Sequence, residues 1–140
     1  MRIDCMIMKI LSGVILIASI SGCGEYKPGG GGSVHNPPAA IEANKPVTLT
    51  LKLTTWGAGG TDIEKRYANI RCHYKADSQK IFSVVEMRLV TKQPAEGWYE
   101  CVIPANVAEP GSNIDYYFDM DLDGHYNRRE EKPLTVKPMD

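Results

Sequence analysis

Histidine is scarce in this chain and catalytic signatures are missing. His35, His73 and His125 are its three histidines, and no G-x-S-x-G, H-E-x-x-H or glycine-rich phosphate loop occurs anywhere in it. Serine hydrolases, zinc peptidases and nucleotide enzymes of the common kinds are therefore not indicated. There is no C-x-x-C pair, which argues against a dithiol redox centre. Charge of one sign is also lacking: 16 basic against 17 acidic residues leave a net −1, too little electrostatic footprint for nucleic acid. Long apolar runs are absent too, since Ile10 to Ile20 is roughly half of the ~20 residues a membrane-crossing helix needs. No internal repeat is apparent, and no helical pattern is both long and capped.

What is present begins with a leader. Arg2 and Lys9 give a basic start, Ile10 to Ile20 a short apolar core, and Ser21-Gly22 the small residues a signal peptidase requires. Met6 and Met8 are alternative starts that would drop Asp4 and Cys5. The ending Ile20-Ser21-Gly22-Cys23 resembles the lipobox of bacterial lipoproteins, which implies cleavage before Cys23 and acylation of its thiol. Two or more acyl chains, at about 0.8 kcal/mol per buried CH2, hold a protein stably on a membrane. Gly24 at the following position resembles the sorting pattern of proteins forwarded to an outer membrane, where the cell has one. The leader takes Arg2, Lys9 and Asp4 with it, so the remainder is one charge more negative.

Three parts are expected: a signal peptide over 1–22, a lipidated Cys23 with a Gly/Pro-rich tether over 23–45, and a folded domain over 46–138. The tether contains Gly29-Gly30-Gly31-Gly32-Ser33 and Pro37-Pro38, with little to bury, and is expected to stay disordered with Tyr26 and His35 solvated.

The domain repeats every second residue. Val47, Leu49, Leu51 and Leu53 alternate with Thr48, Thr50, Lys52 and Thr54; Ile70, Cys72 and Tyr74 share one parity, as do Tyr99, Cys101 and Ile103. Ile81 to Lys92 is read as one further strand, with Val85, Met87 and Leu89 inward. Ile114, Tyr116, Phe118 and Met120 alternate with Asp115, Tyr117, Asp119 and Asp121, and Asp123-Gly124 then predicts a tight hairpin into Tyr126 to Val136, where Pro133 implies an edge or a break. Short strands at this spacing specify an all-β antiparallel sandwich of about seven strands.

Pro110-Gly111-Ser112, the run Ile114-Asp115-Tyr116-Tyr117-Phe118 and Asp123-Gly124 resemble the penultimate strand of immunoglobulin-like and fibronectin type III-like domains of bacterial envelope proteins. The resemblance implies that fold and no particular activity. It departs from antibody domains in lacking the Cys…Trp…Cys order, because Trp98 precedes Cys101.

Cys72 and Cys101 remain as an even pair once Cys5 and Cys23 are accounted for. In an oxidising compartment they are expected to form a disulfide, which would stabilise by up to about 3.5 kcal/mol; two buried free thiols packed as small hydrophobes are the alternative. Counting from Asp119, oxygen-bearing side chains fall at the first, third, fifth, ninth and twelfth places, namely Asp119, Asp121, Asp123, Asn127 and Glu130, with Gly124 sixth. That is the calcium-loop spacing of an EF-hand, here without helices on either side, so a calcium loop on a hairpin stands against ordinary acidic residues at a solvated turn. Trp56, in its glycine-rich loop, is placed either to stack on sugar or anchor a protein, or to fold back over one end of the sandwich. Tyr117 and Tyr126 invite the same two readings.

The expectation is thus a lipid-anchored envelope protein, with a non-catalytic binding or accessory module for a protein or glycan partner. A calcium-dependent module, a carbohydrate-binding module using exposed Trp or Tyr, and a small hydrolase gathering His73 or His125 with a carboxylate are the alternatives.

Overall fold

The computed structural model describes residues 29–139, so the leader, Cys5, Cys23 and Tyr26 lie outside the described residues. Among the described residues nine strands form two antiparallel sheets: β1 (Gly30–Val34), β2 (Val47–Trp56), β3 (Tyr67–Ala76), β4 (Ser83–Glu86), β5 (Arg88–Gln93), β6 (Glu96–Ile103), β7 (Asn113–Leu122), β8 (His125–Glu130) and β9 (Leu134–Thr135). The first sheet runs β1-β2-β6-β5 and the second β4-β3-β7-β8, with β9 also on β7. This order is the immunoglobulin arrangement of an A-B-E-D sheet facing C′-C-F-G. The fold is an immunoglobulin-like β-sandwich.

The period-two pattern sets which side chains meet between the sheets. Val47, Leu49, Leu51 and Leu53 from β2 face Ile114, Tyr116, Phe118 and Met120 from β7, and all are buried. Burying an aliphatic or aromatic side chain of this size contributes about 1.5–3 kcal/mol each, which is what drives the sheets together. Thr55 continues the inward row of β2, and its hydroxyl is buried without a hydrogen-bond partner. The turn between β7 and β8 is the one expected: Asp123 (φ 50) and Gly124 (φ 81) both take positive φ, as a two-residue hairpin loop requires.

Three sequence expectations need correction. The described part of the segment expected to be a disordered tether, from residue 29 to 45, joins the sandwich. Its glycine run is β1, paired along β2 from Gly30↔Trp56 to Val34↔Lys52, and Ile41 bridges Val136 in parallel on the other sheet. His35, expected to be solvated, is buried between these two pairings. Its Nδ1 donates to the Thr50 carbonyl (2.6 Å), and its Nε2 accepts from the Tyr116 hydroxyl (2.7 Å). A low-hydrophobicity segment therefore folds because backbone pairing and one buried ring do what bulky side chains do elsewhere.

The expected strand Ile81 to Lys92 is two strands. Met87 is buried between them and its amide bonds to Ile70 (2.9 Å), while β4 pairs with β3 and β5 with β6. The inward parity of Val85, Met87 and Leu89 survives as the chain changes sheet. A single helical turn, α1 (Ile63–Arg66), also forms, capped by Asp62 accepting from the Glu64 amide. The last strand breaks at Glu131 to Pro133 into β8 and β9, as Pro133 implied, because proline supplies no amide for a continuous ladder.

The β1 edge of the first sheet is sealed by side chains. Arg129 donates to the Ser33 carbonyl (2.9 Å) and Tyr67 to the Thr54 and Gly32 carbonyls (2.8 and 3.3 Å). Such plugging blunts an edge that would otherwise invite pairing with another chain.

Candidate functional site

The outward positions of β3, β7 and β8 converge on Asp119. Its carboxylate is 3% exposed although it lies on the outer face of the second sheet. One oxygen accepts from Arg71 Nε (3.1 Å); the other accepts from His73 Nε2 (2.9 Å) and the Tyr126 hydroxyl (3.0 Å). Arg71 is the direct cross-strand partner of Asp119, and His73 that of Tyr117, so the sheet register assembles the group. A buried carboxylate with three donors is held rigidly, and it holds its donors in turn.

Above this carboxylate stands a row of rings. The His73 imidazole stacks on Tyr117 (4.4 Å between centroids, 7° between planes), and the Arg128 guanidinium lies 3.6 Å from the Tyr117 ring centroid. Phe82 meets Tyr117 edge-on at 5.2 Å, and the Lys75 ammonium is 5.5 Å from Phe82. Around the row, Tyr126, Val84 and Ile81 are 58%, 53% and 82% exposed. Partial desolvation, together with the hydrogen bond to Asp119, pushes the Tyr126 phenol above its ordinary value.

Of the five expected calcium ligands, the structure gathers none into a cage. Asp119 is occupied as described, Asp121 accepts from Asn69 (2.7 Å), and Asp123 receives both Nε and Nη2 of Arg66 (2.7 and 2.8 Å). Asn127 donates to the His125 carbonyl (3.0 Å) and Glu130 pairs with Arg128. Among the described residues no group of three or more His, Cys, Asp or Glu is placed to hold a metal. The physical reason is strand geometry: successive odd positions of a strand spread along one face, whereas the same spacing in a loop curls around an ion. Each carboxylate finds protein donors instead. His73 does meet a carboxylate, as the hydrolase alternative needs, but on a sheet face, and no serine, threonine or cysteine among the described residues bonds to its ring.

The first sheet presents a different outer surface. Trp56 does not fold over the end of the sandwich. It is 57% exposed and lies along β1, where a Cβ on Gly30 would sit 2.8 Å from its Nε1 and one on Gly32 3.6 Å from its Cζ3. The glycines give the indole a seat that any side chain would occupy. Further along this face, Lys52 caps the Trp98 ring at 5.2 Å and pairs with Glu96 (3.1 Å).

Cys72 on β3 and Cys101 on β6 do face each other across the sandwich, but as free thiols; the expected disulfide is not formed. The hydrogen bond they share pushes Cys72 up, assisted by burial, and holds Cys101 below its ordinary value. In immunoglobulin terms they sit on strands C and E, whereas antibody domains bridge B and F.

Arg71, His73, Phe82, Val84 and Arg128 are the site residues that sequence reasoning did not single out for binding. Outward parity marks Arg71, His73 and Arg128 as surface residues, and the Asp123-Gly124 hairpin sets β8 beside β7, yet nothing local tells that β3 flanks β7 on its other side.

No protein-family model matches the chain, and no characterised protein matches it in sequence. Solved structures similar in shape include the following two. The Lin-41 filamin domain has a TM-score of 0.40 at 9% identity, over 78% of this chain and 93% of that one. A superoxide reductase (neelaredoxin) from Ignicoccus hospitalis has a TM-score of 0.35 at 11% identity, over 75% and 79%.

Proposed function

We propose that this chain is a lipid-anchored, non-catalytic recognition module of a bacterial envelope, and that it binds a protein partner through the outer face of its second sheet. The observation that carries the reading is the Tyr117 ring held between His73 and Arg128 above a buried Asp119. Tyrosine and arginine are the residues that dominate protein interfaces, and rings already fixed in place lose little entropy on binding. Exposed Ile81, Val84 and Tyr126 supply apolar area around them. The immunoglobulin-like frame is compatible with this role and does not specify it.

Lipid attachment at Cys23 is supported by the Ile20-Ser21-Gly22-Cys23 ending of the leader. Cell fractionation of Cys23→Ser is expected to release the protein from membranes; unchanged retention and processing would sink the anchor. For the binding face, a photo-reactive side chain at Val84 is compared in intact cells with one at Thr48 on the opposite sheet. Val84 is expected to give one discrete protein adduct whose yield falls about tenfold in Tyr117→Ala. Equal labelling from both positions would overturn the assignment.

A further inference from the structure

We infer that the end of the sandwich carrying Trp56 and the Gly57-Ala58-Gly59-Gly60 loop rests in the polar interface of the bilayer to which Cys23 ties the chain. This rests on the lipid anchor proposed above and adds to it a defined orientation of the domain.

The argument begins with the length of the leash. With β1 starting at Gly30 rather than near Pro46, only seven peptide steps separate Cys23 from the first strand. Fully extended they reach about 25 Å, at no more than ~3.6 Å per residue. Gly30 is also the cross-strand partner of Trp56, so the chain leading to the anchor emerges directly beside the indole. The surface nearest the lipid is therefore this one.

Its chemistry suits that position. Trp56 through Gly60 are all exposed, and no charged residue occurs between Leu53 and Thr61. Tryptophan is enriched where bilayers meet water, because its ring is apolar and its N–H still finds a partner there. Here the ring is laid on glycines with its other face outward, so no rearrangement is needed for contact. The charged groups around the same end are already paired: Lys92 with Asp62 and Glu64, and Arg66 with Asp123. Lys52 pairs with Glu96 and Asp121 accepts from Asn69 nearby, and with Lys65 the signs stay mixed, so no block of like charge opposes approach to a membrane. One indole binds lipid weakly by itself; tethered within about 25 Å of it, the contact becomes intramolecular and is sustained.

The core of the face proposed for protein binding, Tyr117 with Val84, lies on the other sheet and further along its strands, Tyr117 opposite Glu130 and Val84 opposite His73.

The test uses the lipidated full chain purified from cells, in the Trp98→Phe form so that Trp56 is the only tryptophan. It is reconstituted into phosphatidylcholine vesicles with or without lipids brominated near the headgroup. Trp56 emission is expected to shift to the blue, to be quenched by the brominated lipid, and to show a several-fold lower iodide quenching constant than unlipidated Cys23→Ser free in solution. Raising the salt is expected to leave this unchanged, since the loop carries no charge. The reciprocal Trp56→Phe chain, reporting through Trp98, is expected to show no lipid quenching. Vesicle flotation separates the two layers of the claim. A wild-type chain that floats while Trp56 stays as open to iodide as in solution overturns the docking alone; a wild-type chain that fails to float, or a Cys23→Ser chain that floats equally, overturns the anchor and the docking together.

Discussion

The two outer faces of the sandwich present different groups to solvent. On the second sheet nearly every charge is consumed locally: Asp119 by Arg71, His73 and Tyr126, Asp115 by Lys75, Glu130 by Arg128. On the first sheet the notable group, Trp56, rests on bare backbone. A face whose charges are already satisfied is rigid and has nothing left for a metal, whereas a lone ring on glycine contributes little to the fold and is free to contact something else.

Breaking Asp119 is the strongest way to test that contrast. Asp119→Ala leaves Arg71, His73 and Tyr126 facing an empty site, and is expected to cost about 3 kcal/mol in urea unfolding. A loss no larger than that of Asp121→Ala, whose carboxylate has a single exposed partner, would show that the second face is not held by its charges.

Acid provides the next test. Arg66 beside Asp123 holds that carboxyl below its ordinary value of 3.8, so the pair's contribution is complete above the usual carboxylate range and is lost as pH falls through the lowered value. Asp123→Asn is expected to lower the melting midpoint near neutrality and to converge with wild type in strong acid. Parallel curves at all pH values would refute the ion pair.

Trp56→Ala is expected to cost only about 1 kcal/mol, the worth of the partial burial of one ring face. A cost comparable to that of Asp119→Ala would mean that the indole is structural, and would erase the distinction between the faces. Smallest of all, Thr55→Val removes the unpartnered buried hydroxyl and is expected to gain about 0.5 kcal/mol; a loss would reveal a hidden partner.

Much of the frame was legible because strands write their inward side at every second position. The burial of Leu49, Leu51 and Leu53, and of Tyr116 and Phe118, follows from that parity, as does the Asp123-Gly124 hairpin. Parity also put Cys72 and Cys101 inside, but it carries no information about the bond between them. The glycine strand escaped notice because pairing through backbone amides leaves no mark in side-chain hydrophobicity. The break at Met87 escaped because a strand that changes sheet keeps its parity while it changes neighbours.

The candidate site was legible only in part. Asp119, Tyr117, Tyr126 and Trp56 were marked by residue type, whereas spacing along the chain left a calcium loop and ordinary acidic residues at a turn equally open, because spacing does not fix convergence in space. Which cation meets which carboxylate depends on strand order, and His73 reaches Asp119 only because β3 happens to pair with β7 in that register.

The alternation of apolar and polar residues by itself determined an all-β sandwich with a known inward row, since any strand must turn alternate side chains to opposite sides. Tertiary structure alone decided that a glycine run is a strand, that five acidic and amide residues are spread among separate protein partners, and that an indole faces outward. Those outcomes depend on which segments become neighbours, a non-local property settled by the packing of the whole chain.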